Sequence, residues 1–293
     1  MKMQILSEQA IIEKLACSEC FKATIESGAF VLRIGDYVPA VFTAIHDGHH
    51  VPSYLLSSML VTEDQRTYEE DPYTGDIADL FSISLRVCDS RYLYDLNRQA
   101  DECIYDEAWG LKVWKTPPSK ALRNTLLERH RSYYRVLHAL LSSLEKQFSS
   151  CVLYDLHSYN YSRINGNTPL FNIGTHYIDQ TACEPVVLHL IKQLRSISLS
   201  QMDNRTACDE VFKGRGYQAH FINSNHPQSL CIPLEIKKVF MDEKTFEPHA
   251  EMLSKLKDTL TQALSSNAAF FADARGRLSL KQSSVLLKKG AKP

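Results

Sequence analysis

The chain has 293 residues, of which 44% are hydrophobic and 23% are charged, a composition typical of a globular protein with a sizeable core. Lys and Arg number 33 against 34 for Asp and Glu, and the formal net charge of -1 excludes an electrostatic surface for nucleic acid as the main binding feature. No apolar run approaches the roughly 20 residues of a membrane helix, and charges occupy the N-terminal stretch where an export signal would be apolar.

These features predict a cytoplasmic protein with no nucleic-acid or membrane partner. Its eight cysteines are therefore expected to be reduced thiols. The sequence does not fix the oligomeric state, and a homo-oligomer stays open.

The first half of the chain alternates between predicted strands and helices. Residues 30–34 (FVLRI) and 40–46 (AVFTAIH) are rich in apolar and β-branched residues and predict strands. Residues 75–86 have helical spacing of apolar residues, and 92–96 (YLYDL) predict a short strand. The clearest helix spans residues 119–148, because two prolines precede a capping serine and apolar residues then recur every three or four positions.

The second half continues the alternation. Residues 151–157 (CVLYDLH) form an unbroken apolar run, which is typical of a strand buried on both faces. Further predicted elements are a helix at 184–196, strands at 217–223 and 230–236, and a last helix at 246–265. The basic tail, residues 280–293, is expected to be loose.

Alternating strands and helices predict an α/β protein: a single three-layer α/β/α domain around a mixed, mostly parallel sheet, with its core between about residues 30 and 266. In such sheets the ligand site lies beyond the carboxyl ends of the strands. Polar residues that end apolar runs should therefore converge at one edge of the sheet.

Three apolar runs end in residues that suit a hydrolytic metal site. His46 ends the run at 40–46, His157 ends the run at 151–157, and Glu235 lies in the strand predicted at 230–236. An acidic cluster, EEDPYTGD at 69–76, comes between the first two. Two imidazoles and one carboxylate, with a fourth position for water, form the ligand set of a catalytic zinc, and a further carboxylate is needed to accept a proton. Each residue alone is compatible with a purely structural role, so the prediction depends on the set.

The motifs IHDGHHVP, EEDPYTGDIA, SRYLYDLNR, LYDLHSY, FKGRGY and PLEIKK occur in this order between about residues 40 and 240. In this order they resemble the N-formylglutamate amidohydrolase family, which is related in fold to the zinc carboxypeptidases and the aspartoacylase-like deacylases. The resemblance implies a zinc-carboxypeptidase-like fold. Two stretches depart from the family, because PLEIKK carries lysines and SYNYSRINGN follows His157, and both are expected to border the substrate. The resemblance therefore supports the hydrolytic site more strongly than it supports the identity of the substrate.

The resemblance also implies a metal site. His46 and His157 match the family's metal-binding histidines, and one zinc per chain is expected, although another divalent metal would suit the same ligands. Asp71 is the preferred match for the carboxylate ligand. Three neighbouring residues stay open as alternatives: His49, Glu70 and Asp76.

The remaining site residues also follow from the resemblance. Glu235 matches the catalytic glutamate, and Arg91 is expected to polarise the scissile carbonyl or to bind a second carboxylate. Asn97 and Arg98 resemble a pair that clamps a substrate carboxylate, since a guanidinium offers two parallel donors to its two oxygens. Two residues that border these motifs complete the predicted substrate-binding set: Ser158 and Lys213. Asp155, on the same side of its strand as His157, could orient that ligand, and a purely structural role as a capping loop residue stays open as the alternative.

The predicted function is hydrolysis of the amide bond of an N-formyl or other N-acyl amino acid. The small substrate would also be the main partner. One alternative is a metallocarboxypeptidase that acts on peptide C-termini. A second alternative is a non-catalytic member of the fold that binds a ligand.

Overall fold

A mixed sheet of nine strands forms the centre of the computed structural model, which describes residues 1–199 and 203–289. The strands of the described residues are β1 Met3–Leu6, β2 Phe21–Ile25, β3 Phe30–Ile34, β4 Ala40–Ala44, β5 Ile83–Val87, β6 Glu107–Ala108, β7 Leu111–Lys112, β8 Val152–Tyr159, β9 Phe171–Ile173, β10 Thr206–Cys208 and β11 Leu230–Lys237. Their order in the sheet is β1-β2-β3-β5-β4-β8-β11-β9-β10, and β6 pairs with β7 alone.

Helices cover both faces of this sheet. The helices of the described residues are α1 Glu8–Ala16, α2 Ser53–Leu56, α3 Glu63–Glu69, α4 Thr74–Ala78, α5 Lys120–Phe148, α6 Gln180–Arg195, α7 Tyr217–Asn225 and α8 Ala250–Lys289. One buried apolar cluster joins the sheet to α1, α5 and α7, and a second joins its other face to α4, α6 and α8. Within β8, Leu153 belongs to the first cluster and Tyr154 to the second, as expected for a strand buried on both faces.

The predicted fold class is confirmed. The central strands β5, β4, β8 and β11 are parallel neighbours, as are β1 with β2 and β9 with β10. Antiparallel pairs join β2 to β3, β3 to β5 and β9 to β11. The sheet is therefore mixed and mostly parallel, and helices lie on both sides of it. Whether the chain is one domain stays a prediction.

Two predicted elements of the first half are wrong. The helix expected at 75–86 is only the short α4, and β5 follows it as a central strand. The apolar residues of β5 alternate with Ser84 and Arg86, and this alternation within the longer run indicated a strand. The strand expected at 92–96 is a series of turns, in which Leu93 N donates to Ser90 O at 3.0 Å.

The second half contains two further corrections. The strand expected at 217–223 is helix α7, because a short apolar run fits either element and only packing decides between them. The last helix begins at Ala250 and not at 246, where Phe246 has a left-handed φ of 63°. It continues through residues 280–289 of the tail that was expected to be loose, and residues 290–293 lie outside the described part. None of the helices in the described residues has the length and apolar character needed to cross a membrane.

Candidate active site

The carboxyl ends of three parallel strands bring the predicted site residues together. His46 lies two residues beyond β4, and His157 and Glu235 lie near the ends of β8 and β11. Glu235 is the direct register partner of His157, and Thr43 of β4 is the partner of Asp155. Parallel register therefore aligns these side chains at one edge of the sheet, where the ligand site was expected.

His46, Asp71 and His157 form a buried group with converging side chains. His157 Nδ1 lies 3.0 Å and His46 Nδ1 lies 3.5 Å from the same oxygen, Asp71 Oδ2. Each of the three offers one ligand atom, and these atoms all lie within 4.8 Å of one another. A backbone hydrogen bond of 2.8 Å from Asp71 N to His46 O ties the two loops together. Two imidazoles and a carboxylate in this arrangement fit a divalent metal such as zinc, with a coordination position left for water.

The electrostatics of this group also fit a metal site. Burial opposes ionisation of Asp71, but its contacts with His157 and His46 hold the pKa of its carboxyl well below the usual range. Burial lowers the pKa of His157, but Asp155 and Asp71 outweigh it and raise that pKa well above its ordinary value. A raised pKa favours the protonated form of His157 in the metal-free site, and metal binding would release that proton.

Each histidine also has a carboxylate at its second nitrogen. His46 Nε2 lies 2.8 Å from Asp95 Oδ1. His157 Nε2 lies 3.0 Å from Asp155 Oδ2 but has no aligned hydrogen bond among the described residues. Asp155 in turn accepts a hydrogen bond of 3.0 Å from Thr43 Oγ1. Carboxylates behind ligand histidines fix the ring orientation and increase the basicity of the ligand, so Asp155 has the position expected of an orienting residue.

Asp95 is a further candidate functional residue, which the predicted site did not include. Its buried carboxylate accepts hydrogen bonds from Arg91 Nη2 at 2.7 Å, Tyr105 Oη at 2.5 Å and Asn97 N at 2.7 Å, besides its contact with His46. Burial would raise the pKa of Asp95, but Arg91 and His46 hold it well below the usual range. The signal was the aspartate of DLNR, two residues before Asn97, which the incorrect strand prediction for 92–96 concealed.

The three alternative carboxylate or imidazole ligands lie elsewhere. His49 Nδ1 contacts Glu70 Oε2 at 2.6 Å, and Ser90 donates to the other oxygen of Glu70. Asp76 pairs with Arg86 at 3.2 Å and with Lys257 at 2.9 Å. These side chains are engaged with partners outside the buried group. The structure therefore brings Asp71, and none of the three alternatives, together with His46 and His157.

Glu235 has the electrostatic character expected of a proton acceptor. Its side chain is only partly buried and faces the same pocket as the metal group. Burial raises the pKa of Glu235 to about 8; His157 opposes this shift, and the carboxylates of Asp71 and Asp155 add to it. A carboxyl group with a pKa near neutrality exchanges protons readily at physiological pH.

The predicted arginines have different environments. Arg91 is mostly buried: Nε and Nη2 donate to Asp95, Nη1 donates to Glu69 O at 2.9 Å, and the guanidinium lies 4.7 Å from the Trp109 ring centroid. Arg98 is exposed, and Nη1 donates to Asn97 O at 3.1 Å. Among the described residues no carboxylate pairs with Arg98. The donors of the Arg91 guanidinium are thus largely used in hydrogen bonds within the protein, whereas the guanidinium of Arg98 is accessible to a ligand.

The other predicted residues border the same space. Ser158 Oγ lies 3.4 Å from Asp71 Oδ1, and Lys213 is exposed at the pocket rim. Asn97 Oδ1 is buried without a partner among the described residues. A side chain at Gly216 would collide with this amide, so the glycine permits close approach.

One pocket of about 480 Å³ contains all of these groups, a volume suited to a small molecule. Its wall includes every predicted site residue: His46, Asp71, Arg91, Asn97, Arg98, His157, Ser158, Lys213 and Glu235. Three further cations line it: Arg163 and Lys238, which lie in the two stretches expected to border the substrate, and Arg215 of the motif FKGRGY. Lys238 is the unusual one, because it is fully buried and burial lowers its pKa to about 8.

Comparisons with known proteins agree with this architecture. The model of the N-formylglutamate amidohydrolase family matches residues 38–241. An N-formylglutamate amidohydrolase of Ralstonia eutropha JMP134 is similar in structure, with a TM-score of 0.69 and 20% identity over 83% of this chain and 97% of that chain. A gene product of Agrobacterium tumefaciens is also similar, with a TM-score of 0.59 and 16% identity over 81% of this chain and 95% of that chain.

More distant comparisons add little. A metallo-carboxypeptidase of Burkholderia cenocepacia aligns over 83% of this chain and 61% of that chain with 14% identity, but its TM-score of 0.38 carries no argument. No curated protein matches the sequence significantly. At these identities the structural likenesses establish the fold, and the family match covers most of the chain.

Proposed function

The chain belongs to the N-formylglutamate amidohydrolase family, and we propose that it is a zinc-dependent enzyme that cleaves the amide bond of N-formylglutamate or a closely related N-acyl amino acid. Family membership makes it a hydrolase of the N-formylglutamate amidohydrolase type. The identity of the metal, of the acyl group and of the amino acid in the substrate is part of the proposal. A cytoplasmic location also stays a prediction from the sequence.

The observation that carries the proposal is the convergence of His46, Asp71 and His157 in one buried group, with Glu235 in register beside His157. A structural role would explain one buried histidine. It does not explain two imidazoles directed at one carboxylate oxygen in the lining of a pocket, beside a glutamate whose side chain has no hydrogen bond or ion pair among the described residues. This set is the ligand set and base of a hydrolytic metal site.

The roles of the residues follow from their positions. His46, Asp71 and His157 would hold the metal, which when bound would supply an activated water and positive charge against the scissile carbonyl. Glu235 in its carboxylate form would accept a proton during attack and deliver it to the leaving nitrogen, and a raised pKa makes that carboxylate the stronger base. Asp95 and Asp155 keep the two imidazoles in orientation.

Substrate binding is assigned to the cationic side of the pocket. Arg98 and Asn97 would hold the carboxylate of the amino acid, since Arg98 has no carboxylate partner among the described residues. Arg91, held by Asp95, is a fixed positive charge near the carbonyl, and Lys213 and Ser158 border the remaining space. A zwitterionic or neutral amide would use few of these contacts.

The proposal is tested with a substrate panel for the zinc-loaded enzyme. The panel contains N-formylglutamate, N-acetylglutamate, an N-formyl amino acid with a neutral side chain, and N-blocked dipeptides. We expect N-formylglutamate or another N-acyl amino acid to be cleaved with the highest kcat/KM. Cleavage of the dipeptides alone would identify a metallocarboxypeptidase. Binding of N-formylglutamate without cleavage of any compound would identify a non-catalytic member of the fold.

A further inference from the structure

Lys238 is a buried cation that the proposed reaction does not use. It follows the end of β11, three positions after Glu235, and its side chain is 1% exposed. Its Nζ donates hydrogen bonds of 2.7 Å to Glu70 O and 3.1 Å to Tyr68 O. The hydrogen-bond partners of its Nζ among the described residues are thus backbone carbonyls and no carboxylate, although burying an unpaired ammonium is costly.

The two carbonyls that Lys238 holds belong to the segment before Asp71: Glu70 directly precedes it, and Tyr68 lies three positions before it. Asn160, which follows the end of β8, donates from Nδ2 to the same Tyr68 O at 2.5 Å. The Glu70 side chain is engaged with His49, so its backbone carbonyl alone faces Lys238. Residues 68–71 are therefore fixed from the ends of the two strands that carry His157 and Glu235.

Burial lowers the pKa of Lys238 to about 8, and the negative charge of Asp71 opposes that shift. Two hydrogen bonds to the backbone, at Tyr68 and at Glu70, thus hold the segment that leads into Asp71, the proposed carboxylate ligand. A neutral apolar side chain at this position would supply neither. A function in the site accounts for a buried lysine whose burial is otherwise unfavourable.

We propose that Lys238 is a positioning residue, which fixes residues 68–71 through the carbonyls of Tyr68 and Glu70 and so sets Asp71 as a metal ligand. This inference rests on the proposed function, because it takes Asp71 as part of the metal site. Lys238 acts through Asp71, and this role requires no contact between Lys238 and the substrate. Groups behind metal ligands typically change metal affinity by about 10- to 100-fold when removed.

The experiment is a zinc titration of the metal-free protein against a chromophoric chelator, for the wild type, Lys238→Met and Lys237→Met. Lys237 is the matched control: it is the adjacent lysine, its Nζ donates to Thr168 O at 3.4 Å and lies 4.7 Å from the Tyr161 ring centroid, and it does not contact residues 68–71. We expect Lys238→Met to bind zinc about 10- to 100-fold more weakly. Lys237→Met should bind zinc as the wild type does.

The outcomes separate this inference from the proposed function. A wild type that binds no zinc contradicts the metal site, whatever Lys238 does. A wild type that binds zinc tightly, together with Lys238→Met of equal affinity, overturns the role of Lys238 and leaves the metal site intact. Circular dichroism and urea unfolding check that the variants are folded.

A second variant covers the case in which Lys238→Met does not fold. Lys238→Gln removes the charge and keeps an amide that can donate to one of the two carbonyls. Its zinc affinity should lie between those of the wild type and Lys238→Met, or below the wild type if Lys238→Met cannot be measured. Wild-type affinity in Lys238→Gln would overturn the proposal.

Discussion

Glu235 and His157 are direct partners in register across two parallel strands, β11 and β8. The sheet therefore sets the proposed base and one proposed metal ligand side by side, and their alignment does not depend on a loop. Sites on strands are held more precisely than sites on loops. Asp71, by contrast, comes from a loop between α3 and α4 and needs the contacts of its own backbone to reach the same place.

Replacement of the base should separate catalysis from binding. Glu235→Gln keeps the shape of the side chain and removes its ability to accept a proton. We expect kcat on N-formylglutamate to fall by at least about 10²-fold, the lower end for loss of general base catalysis, with the zinc content unchanged. Steady-state kinetics and metal analysis of the same preparation measure both. Unchanged turnover would make Glu235 a structural residue of β11.

The raised pKa of Glu235 predicts a pH dependence of stability in the metal-free protein. Between the ordinary pKa of 4.5 and the folded value of about 8, the folded state holds a proton that the unfolded state has lost. Ionisation of Glu235 in the unfolded state therefore lowers the free energy of unfolding as pH rises through this window. Glu235→Gln lacks this effect, so its stability relative to the wild type should increase from pH 5 to pH 8. Urea unfolding with a chelator present measures the difference, and a difference independent of pH would contradict a raised pKa.

Asp95 should be essential for holding the side chains of His46, Arg91 and Tyr105 in place beside the proposed metal site. Asp95→Asn removes the charge that Arg91, Tyr105 and His46 contact, and leaves the mostly buried Arg91 without its counter-ion. We expect the free energy of unfolding to fall by about 3 to 5 kcal/mol and zinc affinity to fall by about 10- to 100-fold.

Asp106→Asn is the matched control for Asp95, because Asp106 pairs with Arg123 at 3.3 Å on the surface. Its cost should be below about 1 kcal/mol, as for other exposed ion pairs. Equal effects of the two substitutions on stability and zinc binding would show that Asp95 has no special role.

Arg98 decides whether the enzyme recognises a carboxylate on its substrate. Lys keeps the charge but loses the paired donors of a guanidinium, so Arg98→Lys should weaken kcat/KM for N-acyl amino acids by roughly 1.5 to 3 kcal/mol. Amides without that carboxylate should be poor substrates of both proteins and change little. Arg123→Lys, on the surface away from the pocket, is the control. An equal loss on both substrate types would place Arg98 at the scissile carbonyl or in the scaffold.

The parts of the fold that the sequence predicted are those where local pattern and burial agree. The long amphipathic α5 and the unbroken apolar run of β8 were identified because each has only one stable environment. Residues 217–223 were not, since a short apolar segment is buried equally well as a helix or a strand. The short α4 and β5 were merged for the same reason: four residues separate them, and neither period extends far enough to dominate.

The candidate site was predictable where polar residues end apolar runs, which holds for His46, His157 and Glu235. Asp95 and Lys238 were not predictable in this way. Asp95 lies in a turn that resembles a strand in its apolar spacing. The significance of Lys238 depends on the carbonyl of Glu70, which is 168 positions away in the chain, and no local pattern reports such a contact.

The central claim is that hydrolysis depends on a metal held by His46, Asp71 and His157. The most direct measurement removes metal with a chelator and follows glutamate release from N-formylglutamate while zinc is added back to the wild type, His46→Ala and His157→Ala. The wild type should be inactive without metal and reach full activity at about one zinc per chain, while both variants stay inactive and bind little zinc. Full activity of the metal-free wild type, or recovery of both variants at the same zinc concentration, would contradict the account.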